Sequence, residues 1–139
     1  MKLSRYQDKI VRIRDHGNHT FTGIADVFPP EYGMHEYNRE EEGIQIGDYM
    51  IFAGDIRSIE FLPTFEEVVR TIPPGRYRHF KGNEYEVIAI ARHSENENPM
   101  VVYKALYGDG GIWVRPAEMW NEEVHRDGKT YQRFVRISD

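Results

Sequence analysis

The chain of 139 residues carries 18 Lys and Arg against 23 Asp and Glu, a formal net charge of −5, and no cysteine. That length suits one ordinary domain or two very small ones, and the acidic balance argues against a generally basic nucleic-acid or membrane-surface protein. The absence of cysteine excludes disulfides, thiolate catalysis and cysteine-ligated metal, and with a charged start, MKLSRYQDKIVRIRD, and no apolar run of bilayer length it predicts a cytoplasmic protein without a membrane partner.

Along the chain, KIVRIRD partly alternates Ile and Val with charges, HGN supplies a turn, and HTFTGIADV resumes a β-branched and aromatic run, which predicts a hairpin. FPPEYGMHEYNREEEG is rich in Pro, Gly and Glu; two consecutive prolines do not fit a central strand, so a long exposed loop is expected. GIQIGDYMIF and DIRSIEFL read as two further strands separated by Ala53 and Gly54. In PTFEEVVRTIPPG, Thr64 stands as N-cap with Glu67 three residues on. Phe65, Val68, Val69 and Ile72 recur at helical spacing, and Pro73, Pro74 and Gly75 stop the helix. Up to Ile72 there are 8 basic and 13 acidic residues, whereas the remainder balances 10 against 10, so a boundary is placed near Ile72.

The second half repeats the β grammar in GRYRHFK, NEYEVIAIARHSE, PMVVYKALY, GIWVRPAEMW, EEVHR and QRFVRI, with Asp127-Gly128 as a hairpin turn. The expected fold is therefore mostly β: two small antiparallel β modules joined by a short helix. Residues 1–63 are expected to form a small barrel, 64–74 a linking helix and turn, and 75–139 a small β-barrel or sheet.

The stretch GRYRHFKGNEYEVIAIARHSENENPMVVYKALYGDGGIWVRPAEMW closely resembles the family known as domain of unknown function 1653, over roughly residues 75 to 137, with "HSE" and "VVYKALYGDGGIWVRP" as its most specific runs. The resemblance implies a bacterial protein and brings no reaction or catalytic residue. More distantly, KIVRIRDHGNHTFTGIADVF resembles the first motif of Sm-like proteins, with Gly23 at the usual bend, and GDYMIFAGDIRSIEF stands for the second. This implies an Sm-like or SH3-like small barrel for the first module. Asp26 and Phe28 match two RNA-contacting positions of that family. Pro30 falls where an asparagine is expected and Ala53 where an arginine precedes Gly54, so the resemblance carries the fold without the RNA function.

Chemistry concentrates around VVYKALYGDGGIWVRP. Alternation puts Val101, Tyr103, Ala105 and Tyr107 on one face of a strand, and across a tight turn Tyr103 and Tyr107 can align with Trp113 and Arg115 as an aromatic strip edged by a cation. Such a strip can stack a planar ligand, and it can equally be core. Gly108-Asp109-Gly110-Gly111 offers a phosphate nest or a plain turn; the lysine and helix of a P-loop are missing. His79 and His93 are acid/base candidates with Glu118 or Asp109, and His16, His19 and His35 lack diagnostic metal spacing.

The reading favoured is a non-enzymatic module that binds a planar ligand, such as a nucleobase, a nucleotide or single-stranded RNA, through Tyr103, Tyr107, Trp113 and Arg115 with His79, His93 and Asp109 nearby. Its alternatives are a small hydrolase using His79 or His93 with a carboxylate, and an assembly protein whose first barrel pairs through exposed edge strands into a homo-oligomer. No metal or cofactor is implied.

Overall fold

The computed structural model describes residues 2–138 and is mostly β, with two compact units: Met1–Leu62 with Ser94–Glu97, and Pro63–His93 with Asn98–Asp139. In the first unit a 3-10 turn, Leu3–Tyr6, precedes β1 (Ile10–Asp15), β2 (Thr20–Ile24) and β3 (Asp26–Phe28). Helix α1 (Pro30–Tyr37) then leads to β4 (Gly43–Ile46), β5 (Tyr49–Phe52) and β6 (Ile56–Phe61). The expected hairpin is β1–β2, with Asn18 at positive φ in its turn.

Two expectations for this unit change. The proline-rich loop is partly helical: Pro30 sits at the first helical position, where a missing N–H costs nothing, and Asn38 closes α1 in the left-handed conformation with its N–H on the Gly33 and Met34 carbonyls. GIQIGDYMIF is a hairpin, not one strand, because Gly47 takes a φ of +57° between β4 and β5.

The strands form two three-stranded antiparallel sheets, β2-β1-β6 and β3-β4-β5; a closed barrel does not form among the described residues, and the Sm-like likeness is not confirmed. The chain leaves one ladder at Ala25 and enters the other at Asp26. Leu3, Val11, Ile13, Ala25, Ile44, Ile46, Ile51 and Ile56 meet in the core between them. At Gly43 a Cβ would lie 2.3 Å from both the Ile51 carbonyl oxygen and the Phe28 ring, so only glycine fits there.

The second unit opens with α2 (Phe65–Thr71), whose N-cap Thr64 accepts the Glu67 N–H at 3.2 Å as expected. Its apolar residues Val68 and Ile72 enter this unit's own core, beside Tyr77, Val87, Val101, Ala117, Trp120 and Phe134. The helix read as a link thus packs as part of the second module.

Strands β7 (Gly75–His79), β8 (Glu84–Arg92), β9 (Pro99–Ala105) and β10 (Ile112–Pro116) follow, then a turn of helix, α3 (Ala117–Trp120). The hairpin β11 (Glu123–Arg126) and β12 (Lys129–Gln132) and a last strand, β13 (Phe134–Ser138), complete it. The main sheet runs β10-β9-β8-β7-β13, antiparallel throughout and open at both edges, and β11–β12 stands as a separate pair. Asp127 and Gly128 both adopt positive φ, as the primed turn requires. Among the described residues no helix is long and apolar enough to cross a membrane.

Candidate ligand-binding face

Residues paired across an antiparallel ladder share a face, so the register of the main sheet assembles the site. Trp113 lies opposite Tyr103, and Arg115 opposite Val101. Tyr103 lies opposite Val87, and Ala105 opposite Tyr85. Tyr85 in turn faces Tyr77, and His79 faces Phe134. One face therefore carries Trp113, Tyr103, Tyr85, Tyr77, His79 and Phe134 from five strands, with Arg115 among them. Beneath it Trp120, delivered by α3, stacks flat on Phe134 at 3.7 Å and meets Tyr103 and Tyr77 edge-on at 5.1 and 5.5 Å.

Tyr107 lies past the end of β9, yet it joins the face: its hydroxyl shares a hydrogen bond of 2.8 Å with that of Tyr85, and the rings meet at 5.5 Å. Tyr85 also contacts Tyr103 and Phe134 edge-on. The residues divide into floor and surface: Trp120 is 1% exposed, whereas Trp113 is 60% and Tyr107 48% exposed. The strip read from sequence is thus partly core and partly open. From His79 the rings continue outward: Phe80 packs on His79 at 4.5 Å and on Tyr131 at 6.0 Å, where Lys81, Arg126 and Asp127 line a shallow cleft.

The electrostatics are one-sided. Arg115 holds its guanidinium 5.6 Å over the Phe134 ring, its Nη1 is buried without a hydrogen-bond partner, and it makes no ion pair among the described residues. A cation placed so loses hydration without gaining a counter-charge. His79 is held below its ordinary value of 6.5, first by burial and then by the positive charges of Arg133, Arg115 and Lys81. Its Nδ1 accepts the Lys81 backbone N–H at 3.2 Å, which leaves the proton of the neutral ring on Nε2. Tyr85 is pushed up to about 12 by burial and by the Tyr107 hydroxyl, so its phenol stays protonated at neutral pH.

The remaining candidates separate from this face. Asp109 accepts the Gly111 N–H at 3.0 Å and the Gly110 N–H goes to the Tyr107 carbonyl, so two of the four amides of the glycine turn are used within it. His93 follows the far end of β8, roughly 25 Å along the strand from the His79 end at 3.3 Å per residue. The two histidines do not form one acid/base pair. Glu118 belongs to the His93 end: it accepts from Asn98 Nδ2 at 3.3 and 3.4 Å, and the Asn98 carbonyl accepts the His93 N–H at 2.9 Å. In the first unit His19 turns to Asp15 at 3.0 Å, and among the described residues no three His, Asp or Glu side chains gather as metal ligands.

Sequence reading missed Tyr85 and Phe134. Tyr85 carried a usable signal, since EYEVIAIAR places it two residues before the inward Val87. Phe134 arrives only through the pairing of β13 with β7, which nothing local announces.

Residues 75–136 match the model of the family described as "Protein of unknown function (DUF1653)". Among solved structures the chain is similar to a protein belonging to DUF1653 from Bordetella bronchiseptica, with 33% identity, 50% of this chain and 92% of that chain covered, and a TM-score of 0.47. No curated protein matches the chain. Every residue of the aromatic face, from Tyr77 to Phe134, lies inside the matched segment, and that segment, residues 75–136, belongs to the DUF1653 family.

Proposed function

We propose that the DUF1653 unit is a binding module, and that its aromatic face takes a planar, negatively charged ligand of the nucleotide or single-stranded RNA class. The observation that carries this reading is Arg115: a part-buried cation without an anionic partner among the described residues, set beside Phe134 and Tyr85, with the exposed Trp113 on the same face. A base stacked on Trp113 would gain about 1–3 kcal/mol, and its phosphate would supply the charge that Arg115 lacks. The outward run through Phe80 and Tyr131, flanked by Lys81 and Arg126, suits a ligand of more than one nucleotide. The same surroundings argue against a hydrolase built on His79, because the charges acting on it are all cations and among the described residues no carboxylate is paired with it.

The chain has two tryptophans, one exposed and one buried, so emission quenched on binding reports on Trp113. Titration with nucleoside monophosphates and short oligouridylates should quench it. Trp113→Ala should abolish binding, followed by ligand-detected NMR, with an unchanged far-ultraviolet circular dichroism spectrum. Arg115→Gln should weaken binding and flatten its salt dependence. Binding that survives both substitutions, or no response to any of these ligands, overturns the reading.

A further inference from the structure

Strand β10 ends the main sheet, and no strand pairs with its outer side among the described residues. Open edges invite pairing with another chain, and proteins usually guard them with charges, prolines or bulges. The other edge of this sheet, β13, carries Arg136, and β6 at an edge of the first unit carries Arg57 and Glu60. The first three residues of β10 carry no charge: they read Ile112-Trp113-Val114, with Ile112 64%, Trp113 60% and Val114 60% exposed.

The direction of its free backbone groups follows from one hydrogen bond. Ala105 N–H donates to the Gly111 carbonyl at 3.0 Å, and in an antiparallel ladder such bonded pairs alternate. The backbone of Trp113 and Arg115 therefore bonds towards β9, and the N–H and C=O of Ile112 and Val114 point outward. Pro116, which has no N–H, ends the usable edge on one side; at the other, the next residue in phase with Ile112 is Gly110, whose N–H is already held by the Tyr107 carbonyl at 3.1 Å.

We infer that β10 pairs antiparallel with β10 of a second copy of this chain, about a two-fold axis at Trp113. The segment is self-complementary in that register. Ile112 faces Val114 of the other copy, and their outward groups close four hydrogen bonds, which use every free N–H of the edge between Gly111 and Pro116. Trp113 faces its own counterpart as a non-bonded pair, where side chains approach most closely, and Arg115 faces Gly111, where a small residue leaves room. Two five-stranded sheets become one of ten, and the two aromatic faces meet at the axis on the same side.

The full-length chain tested by sedimentation velocity over a wide concentration range should show a concentration-dependent dimer. Val114→Pro removes two of the four hydrogen bonds while sparing the ladder to β9, since the lost N–H points outward, so it should be monomeric at concentrations where the wild type is dimeric. If that variant proves unfolded by circular dichroism, cross-linking decides. The chain has no cysteine, so Trp113→Cys should form a disulfide-linked dimer under mild oxidation, and Val114→Cys, whose side chain is not opposite itself, should not. A wild type that stays monomeric throughout overturns the inference, as does a dimer that Val114→Pro leaves intact or equal cross-linking by the two cysteine variants.

Discussion

At the scale of single residues, His79 shows how the face controls charge. Burial and three cations keep it below 6.5, so at neutral pH it is an uncharged donor through Nε2. Because the folded value is depressed, its contribution to stability is complete above 6.5, where neither state holds the proton, and is lost as pH falls through the folded value. A phosphate bound near Arg115 would offset the cations and move the value back up. NMR titration of the ring should give a value below 6.5 in the free protein and a higher one with saturating nucleoside monophosphate; an unmoved value would place the anion elsewhere. Local sequence marked His79 as a candidate through its neighbours Arg78 and Phe80, but two of the cations that set its state, Arg115 and Arg133, reach it only through the register of the sheet.

Among the elements, those governed by adjacent residues are the ones that sequence reading describes well. The cap of α2 is one bond between neighbours, Thr64 Oγ1 to the Glu67 N–H, and Thr64→Ala should lower stability by about 1 kcal/mol in chemical denaturation. A change within experimental scatter would show that packing of Val68 and Ile72 alone holds the helix. The turn at Asp127-Gly128 follows from the same locality. Helix α1 escaped because Pro30 was weighed as a strand breaker, when the first turn of a helix accepts proline as readily. The bulge in β8, where Ile88 is the extra residue between Val87 and Ala89, is similarly silent in sequence. It switches which later residues face inward, so simple alternation fails beyond it.

For the whole molecule, the two units keep separate cores, and the family match covers only the second. Ile13 is fully buried in the first core, and Ile13→Ala should cost about 2–5 kcal/mol. Hydrogen exchange measured on this variant should show protection lost in β1, β2 and β6 and retained in β8 and β9. Equal loss in all five strands would mean that the two cores open as one cooperative unit.

Composition, turn residues and periodicity by themselves determined a cysteine-free, mostly β chain with one capped helix near its middle, a family segment from about residue 75, and an aromatic and basic concentration around Trp113. Those properties depend on residues within a few positions of one another, where backbone preference and capping act. The tertiary structure alone decided that the sheets stay open, that His79 and His93 part, that Arg115 lacks a counter-charge among the described residues and that β10 lies at an edge. Each of these depends on hydrogen-bond partners distant in the chain, chosen by the packing of whole strands, and no local preference encodes that choice.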